Sequence, residues 1–149
     1  MQLYILDKDP IKSAQLVPDK YKFKMLIELG QLICSAGISD AYKRIPQGKE
    51  LQEWVSNNTA WTYFYYKELY YWCINNINMK ESTIYNIKII LNSVYNPVYC
   101  YLQEPTRAYF RYAKEYECNV PSKILLPIDE CISEYKKYLE WKIKNIKFK

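Results

Sequence analysis

Lys20, Lys24, Glu28, Gln31 and Ser35 recur at spacings of four, four, three and four, so on a helix they stack along one side. Two amines, a carboxylate and an amide in one row can hold phosphate by charge-assisted hydrogen bonds and contact the polar edge of a base. Asp7 and Asp9 lie just ahead of that row, and carboxylates beside amines can instead bind a metal together with phosphates. A plainer assignment competes. In it Asp9 and Asp19 are helix caps, and Lys24 with Glu28 is a surface pair contributing about 0.2–0.5 kcal/mol.

Two further groups have the residue types for such a ligand. Arg107 and Arg111 are four apart among Tyr109, Tyr112 and Tyr116, in a chain that holds 18 lysines and only three arginines. Their fork geometry suits phosphate or carboxylate, and arginines lying over tyrosine rings at the surface weigh equally. Trp61 to Ile77, WTYFYYKELYYWCINNI, spreads aromatic residues over nearly all helical angles. Trp61, Tyr63, Tyr66, Tyr70 and Trp72 are candidates for a wall on which a base stacks, at about 1–3 kcal/mol per base. A core or subunit-interface stripe outweighs that by about two to one, since tyrosine and tryptophan concentrate at interfaces. Both hold if the pocket lies between subunits of a homo-oligomer.

The elements that must position these residues follow from the apolar periodicity. Gln2–Leu6 is expected as a strand, then a short helix over Ile11–Val17 capped by Asp9 with Pro10 at its first position. The organising helix runs from Asp19 to Gly37, with Phe23, Leu26, Ile27, Gly30, Ile33 and Cys34 as its core stripe. Helices are expected over Lys49–Asn57, Trp61–Ile77, Lys80–Val94 and Thr106–Glu117. A proline-bracketed connection, Asn119–Pro127, follows. Ile128–Ile146 closes the chain, with Ile132, Tyr135, Leu139 and Ile143 inward. The sum is a mostly α, single compact helical domain over 1–149 with a short N-terminal strand element.

Composition narrows the chemistry. There is no histidine, which excludes Ser-His and Cys-His nucleophile systems and leaves carboxylates, lysine, tyrosine or a bound metal for any catalysis. Cys34, Cys73, Cys100, Cys118 and Cys131 are odd in number, with no CxxC pair, and are expected as buried free thiols in a reducing compartment. No metal or cofactor is assigned. The net charge of +5 permits an anionic ligand without demanding nucleic acid, and the lysine-rich end, Lys136–Lys149, points to nucleic acid only weakly. No apolar run approaches the roughly 20 residues of a membrane span, and no segment has the pattern of a secretory signal. The expected location is the cytoplasm.

Leu3-Tyr4-Ile5-Leu6-Asp7-Lys8-Asp9-Pro10, Ala14-Gln15, Asp19-Lys20-Tyr21-Lys22-Phe23-Lys24-Met25, and Glu28 with Gln31 together resemble a family of small tailed-phage proteins. That family opens on an aliphatic strand ending in Leu-Asp-x-Asp-Pro, then carries Asp-Lys-His-x-x-Lys-Met and Glu-x-x-Gln on one helix. The likeness covers about the first 35 residues, loosens through Trp54 and the aromatic helix, and fades in the last third. Tyr21 stands where the family has histidine, and Gly48-Lys49-Glu50-Leu51 where it has an Asn-His-Pro-Cys run. The resemblance implies a phage source, hence the cytoplasm of a host cell, and a pocket kept without its histidines.

The leading expectation is therefore a phage protein that binds and sequesters a small nucleotide-like molecule, plausibly a host immune signal, as an anti-defence device. Lys20, Lys24, Arg107 and Arg111 would hold phosphates, Glu28 and Gln31 the polar edges, and Trp61 and Tyr66 the base. Two alternatives stay open: a metal-dependent nucleotide or nucleic-acid hydrolase using Asp7, Asp9 or Glu28, and a nucleic-acid-binding or structural protein. Binding is favoured over catalysis.

Overall fold

The computed structural model describes residues 2–113, 115, 116 and 122–145. These form six helices and one two-stranded sheet, so the chain is mostly α. Helix α1 (Pro10–Leu16) starts where the Asp9 carboxylate accepts from the Ile11 N–H at 3.1 Å, with Pro10 at a position whose missing N–H costs nothing. Helix α2 (Asp19–Ser35) closes in a Schellman turn. Gly37 takes φ 86°, its N–H reaching the Cys34 carbonyl and that of Ile38 reaching Ile33. Helices α3 (Lys49–Asn57) and α4 (Thr59–Asn76) meet at Asn58, and α5 (Glu81–Ser93) follows. Strands β1 (Arg107–Arg111) and β2 (Lys123–Pro127) pair antiparallel, Tyr109 opposite Leu125, and α6 (Ile128–Asn145) ends the described chain.

The core is unusually aromatic. Helix α4 packs on α1 and α2 and buries Trp61, Tyr65, Tyr66 and Tyr70 at its centre, which explains why its rings point in so many directions. It is enclosed on several sides. No helix among the described residues is long and apolar enough to cross a membrane.

Three elements expected from the sequence need correction. Gln2–Leu6 pairs with no strand among the described residues; Leu3, Tyr4, Ile5 and Leu6 thread through the core, with side chains meeting their backbone groups. Tyr65 Oη donates to the Tyr4 carbonyl at 2.8 Å, and the Leu6 N–H donates to Ser13 Oγ at 2.8 Å. The expected Thr106–Glu117 helix is instead the strand β1 over its first half, with Ala108 and Phe110 inward at period two, while Lys114 and Glu117 lie outside the described residues. The expected connection over Asn119–Pro127 contains β2, and its first three residues likewise lie outside the described ones.

The faces of α2 and α6 are also rotated from expectation. On α2, Phe23 is exposed while Lys22 is buried: its ammonium reaches Asp19 at 2.7 Å and the Gln15 carbonyl at 3.1 Å, and lies over the Trp72 ring. An amine so partnered can be enclosed where an unpartnered one could not. On α6, Ile143 is exposed, and the inward stripe is Cys131, Tyr135, Tyr138, Leu139 and, half-buried, Lys142.

Candidate functional site

Four separate parts of the chain wall a cleft of about 380 Å³. Helix α2 contributes Tyr21, Lys24, Met25 and Glu28, at the i, i+3, i+4, i+7 spacing of one helical face. The buried N-terminal segment contributes Gln2 and Tyr4, alternate residues of an extended chain and so on one side of it. The end of β1 contributes Arg111, continuing through Tyr112 and Ala113, and α6 contributes Lys142.

Tyrosine hydroxyls hold the last two parts together. Among the described residues the outward edge of β1 meets no strand; instead Tyr135 Oη donates to the Tyr109 carbonyl at 2.9 Å and accepts from the Arg111 N–H at 3.2 Å, while Tyr138 Oη accepts from the Ala113 N–H at 3.0 Å. Trp54 extends the row, its indole N–H donating to the Arg107 carbonyl at 2.7 Å. Side chains thus satisfy backbone groups that a third strand would otherwise pair. Tyr138 lies four residues before Lys142 on α6, so the residue that anchors the strand end also sets the lysine at the cleft.

Lys142 is a half-buried cation of the cleft. Its Nζ donates to Tyr4 Oη at 3.0 Å and lies 4.7 Å from the Tyr21 ring centre, 5.7 Å from that of Tyr4 and 5.8 Å from that of Tyr138. Burial draws its pKa below the ordinary lysine value, nearby Lys24 adds to this, and Glu28 opposes it. Burial pushes the Tyr4 hydroxyl well above the usual tyrosine range. At the rim Lys24 stands 4.0 Å from Glu28, largely exposed. With Lys24, Arg111 and Lys142 against Glu28, the lining carries an excess of positive charge suited to an anion.

Of the residues singled out in the sequence, Lys24, Glu28 and Arg111 are brought together here, and the others are not. Asp9 caps α1 and accepts from the Tyr99 hydroxyl, while Asp7 accepts from the Asp9 N–H and sits 3.8 Å from Lys12. Lys20 is exposed beside the Tyr21 ring and Gln31 is half-buried farther along α2; neither lines the cleft. Arg107 lies at the opposite end of β1, in a separate surface hollow with Glu50, Glu53 and Asn57. Four residues span roughly 13 Å on a strand, against roughly 6 Å on the expected helix.

Trp61 and Tyr66 are core residues and offer no wall to a base. Trp61 is 1% exposed, its indole N–H donating to the Lys8 carbonyl at 2.8 Å, and Tyr66 is equally buried against Gly30. The tyrosines lining the cleft are instead Tyr4, Tyr21 and Tyr112; the sequence pointed to Tyr112 only as a neighbour of the arginines and gave Tyr4, Tyr21 and Lys142 no such role. A signal for Lys142 was present. Cys131, Tyr135, Tyr138 and Lys142 recur at four, three and four, as regular a stripe as the aliphatic one preferred over it.

The described cysteines lie apart from the cleft. Cys34, Cys73 and Cys131 are buried free thiols, and burial raises Cys73 to about 11 and Cys131 to about 12. Cys100 is exposed, contrary to expectation, and Cys118 lies outside the described residues. Comparison of the chain with protein-family models, with curated proteins and with solved structures finds no match.

Proposed function

We propose that the protein binds a small phosphorylated molecule of the nucleotide class in this cleft and holds it without cleaving it. The observation that carries the reading is the convergence of Lys24, Arg111 and Lys142 with a carboxylate, Glu28, and three tyrosines around about 380 Å³. That volume is within the range of ligand pockets and suits one nucleotide better than a polymer. The cations meet phosphate, Glu28 accepts from a base or sugar N–H or O–H, and Tyr112 packs on the base. Tyr21 stands where the resembled phage family has histidine. A pocket retained without its proton-transfer group favours capture over turnover. In an infected cell the benefit of such capture is removal of a host nucleotide signal.

Titration calorimetry with mononucleotides and cyclic dinucleotides tests this, followed by heat release and mass analysis of what was bound. Saturable binding and recovery of intact nucleotide are expected. Lys24→Ala and Arg111→Ala should each weaken binding about tenfold or more, since hydrogen bonds to charged groups contribute roughly 1.5–3 kcal/mol. Recovery of a cleaved product, or unchanged affinity in both folded variants, overturns the proposal.

A further inference from the structure

Resting on the reading that this cleft takes a phosphorylated ligand, we propose that Lys142 captures a small phosphorylated aldehyde as a covalent imine. Lys142 is half-buried among three tyrosine rings, and its Nζ is held against a hydroxyl. Tyr4, 4% exposed, accepts from it at 3.0 Å and keeps its own proton to give. Lys24 and Arg111 at the same cleft supply the phosphate contacts. An aldehyde whose phosphate rests on these two groups presents its carbonyl carbon to the amine.

The step balances without a further reagent. The Nζ lone pair forms a C–N bond to the carbonyl carbon as the C=O π bond breaks, and Tyr4 Oη protonates the oxygen. One proton of the nitrogen restores Tyr4, which then gives a second proton as the hydroxyl leaves as water; the nitrogen lone pair forms the C=N bond, and the remaining nitrogen proton restores Tyr4 again. Aldehyde and amine thus give imine and water. Burial and the neighbouring Lys24 favour the neutral, nucleophilic amine over an ordinary lysine's ammonium. The three ring faces that surround the ammonium at 4.7, 5.7 and 5.8 Å equally accommodate the protonated imine, which is also a cation.

The test uses pyridoxal 5′-phosphate as probe at one equivalent, with cyanoborohydride reduction and peptide mass mapping of the whole chain. Labelling of Lys142 at least about tenfold over exposed Lys12, Lys80 and Lys88 is expected, as is labelling about tenfold slower by pyridoxal without its phosphate. Lys142→Arg keeps the cation but not the nucleophile, so it should lose the label, while nucleotide binding is read separately by calorimetry on the unaltered protein. Label spread evenly over the exposed lysines, or undiminished total labelling in Lys142→Arg, overturns the inference and leaves nucleotide binding untouched. Selective labelling of Lys142 in a protein that binds no nucleotide supports it while overturning the nucleotide reading.

Discussion

Glu28 is the residue at which the nucleotide reading can be separated from simple anion binding. Its carboxylate sits among cations, 4.0 Å from Lys24, and repels any anion brought to the cleft. A site evolved for bare phosphate gains nothing from it, whereas one that also holds a base or sugar uses it as an acceptor. Glu28→Gln should therefore strengthen binding of inorganic pyrophosphate and weaken binding of the nucleotide, the latter by about tenfold or more for a lost charge-assisted hydrogen bond. Calorimetry with the two ligands reads the opposed signs. Weakening of both by the same factor would mean that the substitution disturbs the cleft and not the acceptor. The melting temperature should barely move, because a half-exposed i, i+4 pair contributes only about 0.2–0.5 kcal/mol.

At the scale of elements, residue 30 of α2 sits against Tyr66 of α4 with little room for a side chain. A Cβ there would lie 3.0 Å from Tyr66 Oη and 3.4 Å from both Ile90 and Tyr42. Tyr66 Oη is buried and has no hydrogen-bond partner among the described residues. Removing a hydroxyl that lost its water on folding and gained no partner recovers its desolvation cost, about 1–3 kcal/mol, less whatever the small void left behind costs. Tyr66→Phe is thus expected to be neutral or stabilising, and Gly30→Ala destabilising in the natural chain but much less so in the Tyr66→Phe background. Urea unfolding of the four proteins checks this as a double-mutant cycle; additive effects would show that Tyr66 does not set the spacing. Gly30 also shows what was legible in the sequence. The helices of this chain, and Gly30 on the buried side of α2, followed from periodicity and breakers, as did Lys24 and Glu28 on one helical face. The strand β1 did not: residues four apart share a face at period two as well as at period 3.6, so Arg107 and Arg111 fitted a helix equally. Nor was the aromatic wall assignable, because nothing local distinguishes a buried ring such as Trp61 from one lining a cleft such as Tyr21.

For the whole molecule, the buried tyrosines couple the fold to alkaline pH. Tyr65 and Tyr135 are fully buried, and Tyr4 and Tyr66 nearly so; in each, burial raises the pKa above the ordinary 10.0. These rings therefore stay protonated in the folded chain when the unfolded chain begins to lose their protons. Below about pH 10 both states hold the proton and stability is independent of these groups. Above it the unfolded state binds fewer protons, and stability falls by about 1.4 kcal/mol per pH unit for each such tyrosine until its folded pKa is reached. Lys142 acts in the opposite sense: its pKa is lowered in the fold, so between that value and 10.5 the unfolded state holds more protons and stability rises with pH. One lysine cannot offset four tyrosines. Cooperative alkaline unfolding above pH 10 is expected, with tyrosinate absorbance from the buried rings appearing in the same transition as loss of helical circular dichroism. Tyrosinate appearing gradually across all 17 tyrosines, well before the helices are lost, would show that the aromatic core admits hydroxide and that these rings are not held as described.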